Sequence, residues 1–153
     1  MPYLVLLAFV AQAAAMLFDE GVFHRRRRLP RWERVGHPLD TATVLLCYGW
    51  LLGARPSHAH LVVYVGLVMA SSLFITKDER LHATHCTAAE HWLHAVLFVL
   101  HPIVLFGAAW LWWSRRFQLV LVAQVAMTSA FALYQLVYWN WTSWRTRPWL
   151  RTQ

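Results

Sequence analysis

Residues 91–113, HWLHAVLFVLHPIVLFGAAWLWW, form a long apolar run that contains no aspartate, glutamate, lysine or arginine. An α-helix of about 20 apolar residues is long enough to cross the hydrocarbon core of a bilayer. This stretch therefore predicts a transmembrane helix. The composition of the whole chain agrees, because a mean hydropathy of +0.40 and ten tryptophans are atypical of a soluble globular domain.

Similar apolar runs occur on both sides of this stretch. The predicted spans are approximately 2–18, 41–54, 60–76, 91–113 and 117–139. The 153 residues therefore predict a single all-α integral membrane domain, a bundle of five transmembrane helices over 1–153. The first run ends in Phe18-Asp19-Glu20 without a small-residue cleavage site, so we expect it to stay in the mature protein. Cys47, inside a span, and Cys86, in a connector, should not form a disulfide.

The basic residues predict the orientation of the bundle. Of fourteen lysines and arginines, eleven fall in the first loop, the third loop or the C-terminal tail, and only Arg55, Arg115 and Arg116 fall on the other side. By the positive-inside rule, the N-terminus lies outside and the C-terminus in the cytoplasm. We expect a bacterial inner (plasma) membrane protein. All seven acidic residues and six of the nine histidines also fall on the cytoplasmic side, which suggests a metal site at that end of the bundle.

Helical spacing brings these polar residues together in pairs, because side chains three or four positions apart share a helix face. Glu20 and His24 are four apart after the first span, and His37 and Asp40 are three apart before the second. The connector KDERLHATHCTAAEHWLH, residues 77–94, provides the remaining ligands. The candidate metal ligands are Glu20, His24, His37, Asp40, Asp78, Glu79, His82, His85, Glu90, His91 and His94.

Several of these residues have a plain structural alternative. Asp40 is either a ligand or an acid favoured at a helix N-terminus. His85 and His91 are either ligands or groups that support them or face solvent. Cys86 is a ligand or a bystander. Glu33, between two arginines, is expected to be a solvated loop charge.

Three further residues are expected to act around the metal ions. His101 is an ionisable group inside a span and therefore a functional candidate; its imidazole is alternatively a partner for a backbone carbonyl freed by Pro102. Tyr134 and Tyr138 lie four apart near the end of the last span. They are second-shell donors or a redox tyrosine, or else they only hydrogen-bond between helices.

The segment Glu79-Arg80-Leu81-His82 forms an E-x-x-H motif. It resembles the motif with which ferritin-like di-iron carboxylate proteins bind metal between neighbouring helices. The clustering of histidines at cytoplasmic helix ends also resembles the histidine-rich membrane desaturases and hydroxylases, although their H-x-x-x-H and H-x-x-H-H boxes are absent. Both resemblances concern the kind of site, and they imply two irons. Imidazole with carboxylate ligands and little thiolate suits iron, zinc or manganese, and iron is favoured here.

The basic run HRRRRLPRWER, residues 24–34, is interpreted as a topology signal that also contacts lipid. Its expected contacts with anionic headgroups are Arg25, Arg26, Arg27 and Arg28. Nucleic-acid binding is not expected, because the run is tethered to the bilayer. The expected partners are membrane lipids, a lipid-like substrate and an electron donor.

The leading functional hypothesis is a di-iron oxidoreductase that hydroxylates or desaturates a lipid, acyl, isoprenoid or quinone-like substrate at the cytoplasmic membrane face. The alternatives are a zinc-dependent hydrolase of a lipid amide or ester, a haem-binding electron carrier, and a metal or proton transport subunit. The haem alternative depends on His94 and His101, which lie on one predicted helix.

Overall fold

A computed structural model describes residues 2–27, 29–79, 82–83, 86–115 and 118–142. The described part of the chain is all helical and contains five long helices, as the sequence predicts. The five are α1 (Pro2–Phe18), α2 (Arg31–Gly53), α3 (His58–Phe74), α4 (Ala88–Trp113) and α5 (Gln118–Val137).

Four of these helices are long and apolar enough to cross a membrane, and each lies within or extends one predicted span. The four segments are Tyr3–His24, His58–Lys77, Ala88–Trp113 and Gln118–Trp141. Helix α2 differs because its first ten residues include Arg31, Glu33, Arg34 and Asp40. Its apolar part, the predicted span 41–54, is shorter than the about 20 residues that a spanning helix needs.

Helix α2 also begins earlier than the sequence predicts. The position of Pro38 indicates a first helical turn near His37, but the helix starts at Arg31, directly after Pro30. Pro38 therefore lies inside α2, where its missing N–H leaves the carbonyl of Arg34 without its helical partner. The side-chain amide of Asn140 donates a hydrogen bond to that carbonyl at 3.3 Å. This contact ties the start of α2 to the end of α5.

Irregular helix turns gather at one end of the bundle. Helix α1 continues as a π-helix over Asp19–His24 and a short α-helical turn, Arg25–Arg27. Helix α3 continues as a 3-10 helix, Ile75–Asp78, and α5 as a π-helix, Tyr138–Thr142. We call this end, together with the first turns of α2 and α4, the histidine end. π-Helical turns inside longer helices are rare and often occur at functional sites.

The apolar core occupies the remainder of the bundle. Helix α1 packs on α4, and α2 packs on α5 and α3. Gly107 permits a close approach of α4 to α1, because a Cβ at this position would lie 2.9 Å from a methyl group of Val5. The hydroxyl of Tyr64 donates to the carbonyl of Leu105 at 2.7 Å and joins α3 to α4. These contacts fix the helices whose ends carry the polar cluster.

Candidate metal centre

The π-helix after α1 brings two neighbouring carboxylates to the same histidine. In an α-helix, His24 would share a face with Glu20, four residues earlier, but not with Asp19. The wider π turn also brings residues five apart together. His24 Nδ1 lies 3.0 Å from Glu20 Oε2, and His24 Nε2 lies 3.2 Å from Asp19 Oδ2. All three side chains are buried.

Helix α4 provides the opposite side of the same site. Thr87 caps the helix by accepting a hydrogen bond from the backbone N–H of Glu90 at 3.3 Å. One turn later, His94 Nε2 lies 3.1 Å from Asp19 Oδ2. A single carboxylate oxygen of Asp19 therefore contacts one histidine from its own helix and one from α4.

Helix α2 adds His37 together with Glu33, and the sequence interpretation placed Glu33 in a loop. Glu33 is completely buried, so its prediction as a solvated loop charge is wrong. Because α2 starts at Arg31, Glu33 lies one helical turn before His37, and their nearest side-chain atoms are 4.0 Å apart. Burial lowers the pKa of His37, but the carboxylates of Glu33, Glu20 and Asp40 outweigh it and leave the pKa raised. The His37 ring lies 4.6 Å from the His24 ring, centroid to centroid.

His82 approaches the site from the connector between α3 and α4. It is buried, and its ring centroid lies 4.1 Å from that of His94. The backbone N–H of Cys86 donates to the His82 carbonyl at 3.0 Å, which turns the connector back toward α4. Cys86 and the buried Cys47 are not joined by a disulfide.

The donor atoms form three overlapping groups, in each of which all atoms lie within 4.8 Å of one another. The groups are Asp19, His24, Glu90 and His94; His24, Glu33 and His37; and His82, Cys86 and His94. Ligands about 2.1 Å from one ion lie about 3 to 4 Å from each other, so the spacing within each group is close to the spacing that one metal ion requires. We call these eight residues, with Glu20, the histidine–carboxylate cluster.

Some buried polar atoms of the cluster lack a hydrogen-bond partner among the residues that the structure describes. Asp19 Oδ1 and His94 Nδ1 are two of them. An unsatisfied buried polar atom costs about 1–3 kcal/mol and calls for an explanation such as an ion or an ordered water. Both residues belong to one donor group of the cluster.

Trp139 contacts Glu20, and the sequence interpretation did not identify it as a residue of the site. Its indole N–H donates to Glu20 Oε1, and the side chain is buried. In the sequence it stands within an aromatic run that is typical of a membrane interface. Tyr138 and Tyr134, predicted as second-shell groups, stack on each other at 5.2 Å, and Tyr138 packs edge-on against Trp139. The tyrosines thus contact the cluster through Trp139.

Other predicted ligands lie in different surroundings. Asp40 forms an ion pair with Lys77 through N–O distances of 2.6 and 2.7 Å. Glu79 and His91 pair with each other at 2.9 Å, with 42% of each side chain exposed. His101 is buried beside the cluster, and its Nε2 lies 2.9 Å from the hydroxyl of Ser71. His85, Arg28 and the side chains of Asp78 and Arg27 fall outside the described part of the chain.

The fold and the cluster define an all-helical protein with four helices able to span a membrane and a buried group of imidazole and carboxylate side chains at one end. No family model, no curated protein and no solved structure matches this chain.

Proposed function

We propose that this chain is an integral-membrane metalloprotein that holds two metal ions in the histidine–carboxylate cluster, at the cytoplasmic face of the membrane. The observation that carries the proposal is the position of Asp19, one oxygen of which lies 3.2 Å from His24 Nε2 and 3.1 Å from His94 Nε2. A carboxylate between two histidines of different helices is placed to bridge two ions, one on each side.

The donor groups support a division into two sites. The group of His24, Glu33 and His37 shares no residue with the group of His82, Cys86 and His94. The remaining group combines one histidine from each with the carboxylates of Asp19 and Glu90. In this arrangement the two histidine groups bind one ion each, and Asp19 and Glu90 lie between the ions.

Iron is the favoured metal because imidazole and carboxylate dominate the donor set. Two irons held by the histidine–carboxylate cluster would supply oxygen activation, with electrons from an external donor. The protein's own side chains orient the ligands: Trp139 holds Glu20 by its indole N–H, and Glu20 in turn contacts His24. Such outer contacts fix the orientation of ligating groups and tune the metal. We therefore propose an oxidoreductase of the hydroxylase or desaturase type.

The surroundings of the cluster support a membrane-dissolved substrate. A small cavity of about 110 Å³ adjoins the cluster and is lined by apolar side chains, among them Leu97, Phe98 and Phe131, together with His24 and His94. Its position at one end of helices that can span a membrane makes it accessible to lipid, acyl, isoprenoid or quinone-like molecules. The excess of basic residues in the loops at this end supports a cytoplasmic location.

The test is elemental analysis of the purified full-length protein and of variants in which either histidine that contacts Asp19 is replaced. We expect two irons per chain, and we expect His24→Ala and His94→Ala each to lower the metal content by at least one ion. His58→Ala, an exposed histidine in the first turn of α3, is the matched control and should keep both ions. A folded protein that takes up no metal, or variants that keep both ions, would contradict the proposal.

A zinc-dependent hydrolase is the second candidate, and it is favoured by one observation. Cys86 joins His82 and His94 in a group of three donors, and a thiolate with two imidazoles is a zinc-binding set that leaves a fourth position open. Zinc there would lower the pKa of a bound water to about 7 for attack on a lipid amide or ester. One zinc per chain, lost in Cys86→Ser and without visible absorption, selects this function over the di-iron oxidoreductase.

A further inference from the structure

A large cleft lies between α1 and α5, close to the cluster. Its volume is about 560 Å³, within the range of about 300–1,000 Å³ that is usual for small-molecule sites. It is open because α1 packs on α4 while α5 packs on α2, so the two helices that form its walls make little contact with each other. The walls are mostly apolar and include Phe9 and Met16 from α1 and Met127 from α5.

The cleft joins the cavity at the cluster. Gln12, Met16, Glu20, Val44 and Phe131 line both the cleft and the smaller cavity beside His24 and His94. A ligand in the cleft therefore reaches Glu20, which belongs to the cluster.

One basic side chain lies at the end of the cleft nearest the cluster. Arg25 lines the cleft, and among the described residues that do so it is the only lysine or arginine. Its guanidinium lies 5.2 Å from the centre of the Tyr138 ring, and the neighbouring Tyr134, another cleft residue, contributes most to raising the pKa of Arg25. The side chain packs beside an aromatic ring and stays exposed to a ligand. A guanidinium matches a carboxylate in charge and binds it through two parallel hydrogen bonds.

We propose that the cleft binds a single-chain carboxylate from the bilayer, a fatty acid, with its head on Arg25 and its chain along α1 toward Phe9. The carbons nearest the head then lie beside Glu20. Binding itself requires only the cleft and Arg25, whereas the consequence that these carbons react rests on the proposed function.

The test is photo-crosslinking of the full-length protein in zwitterionic lipid nanodiscs, with a diazirine on the chain of a long-chain carboxylate. Matched probes carry a phosphate, a trimethylammonium or a hydroxyl head on the same chain. We expect the carboxylate to label α1 and α5 residues of the cleft about tenfold more efficiently than the hydroxyl and trimethylammonium probes, because only the carboxylate forms a charge-assisted pair with Arg25. Arg25→Gln should remove this preference, and Arg26→Gln, an exposed neighbour that does not line the cleft, should keep it.

Bulk introduced into the cleft provides an independent measurement. Ala13→Trp on α1 and Ala130→Trp on α5 fill the cleft from opposite walls, and either should reduce labelling at least about tenfold. Ala14→Trp and Ala126→Trp are the matched controls, because these alanines are exposed on the same helices and do not line the cleft.

The outcomes separate this inference from the proposed function. Equal labelling by all four probes, preferred labelling by the phosphate probe, or labelling that both cleft variants leave unchanged overturns the inference. The same probes are applied to His24→Ala protein. Carboxylate binding that persists at the reduced metal content of this variant supports the cleft even if the metal proposal fails, and metal-loaded protein that binds no carboxylate overturns the cleft alone.

Discussion

Asp19 is the residue on which the proposed two-metal arrangement depends most. Its oxygen lies between His24 and His94, so it joins α1 to α4 at the level of the cluster. The sequence did not identify it as a ligand, because α-helical spacing relates His24 to Glu20 and leaves Asp19 off that face. A substitution at Asp19 therefore tests the cluster directly, because asparagine keeps nearly the same side-chain volume.

We expect Asp19→Asn to lose metal while it keeps its fold. The amide has nearly the same shape, but it cannot supply the negative charge that offsets a metal ion, so metal affinity should fall by about 10- to 100-fold or more. Asp40→Asn is the control, since Asp40 pairs with Lys77 and belongs to none of the three donor groups. Titration with the metal, followed by elemental analysis, measures both; equal affinities in the two variants would exclude Asp19 as a ligand.

Trp139 gives a second prediction, this time for a residue that touches a ligand without binding metal. Trp139→Phe keeps an aromatic ring but removes the indole N–H that holds Glu20. Loss of such an outer contact typically lowers metal affinity by about 10- to 100-fold, and we expect that range here. Trp141→Phe, at a tryptophan 62% exposed, is the matched control and should bind metal like the wild type. An unchanged titration for Trp139→Phe would show that Glu20 needs no such support.

At the scale of the helices, the sequence predicts well which segments are helical, but it predicts poorly where each helix begins and ends. Long apolar runs predict α1, α3, α4 and α5 because burial in a bilayer demands a continuous helix. Glu33 was misplaced because a proline within a helix was interpreted as its start, which left Glu33 in a loop. Asp19 was missed because π turns have no sequence signal comparable to an apolar period, and Trp139 because interfacial tryptophans are common. Convergence of three helix ends and the connector on one cluster is a tertiary fact, because spacing along single helices does not show which of their side chains meet.

The π-helix Asp19–His24 permits a test of whether metal binding depends on the residue spacing in this turn or on the identity of a residue within it. Gly21 lies in this turn, and a Cβ there would meet no atom within 4 Å. We therefore expect Gly21→Ala to keep metal binding and to raise helix stability by up to about 1 kcal/mol. Insertion of one alanine after Gly21 places Asp19 six residues before the histidine, a spacing that takes Asp19 off the face of the histidine in an α-helix and in a π-helix alike.

Circular dichroism and metal titration distinguish the two variants. The insertion variant should keep its helical spectrum and lose metal affinity, whereas Gly21→Ala should keep both. If the insertion variant binds metal like the wild type, the spacing of the π turn is not required for the ligand geometry.

At the scale of the whole molecule, the proposal assigns the cluster to the cytoplasmic face of the membrane. Two described alanines at opposite ends of α3 permit a direct test: Ala59 lies in its first turn, and Ala83 lies in the connector after it, near His82. Both are exposed. Cysteines placed there, in a Cys86→Ala background, differ only in the end of the bundle that they report. Cys47 is completely buried and should not react.

The distribution of basic residues predicts the result with a membrane-impermeant maleimide. Ala59→Cys should be labelled in intact bacterial cells, and Ala83→Cys only in inside-out vesicles, because eleven of the fourteen basic residues belong to the loops and tail at the histidine end. The cluster would then face the compartment that contains reductants, as an oxygen-activating site supplied by a soluble electron donor requires. The opposite labelling pattern would place the cluster outside the cell. It would contradict the orientation and the cytoplasmic electron donor, while leaving the ligand geometry around Asp19 intact.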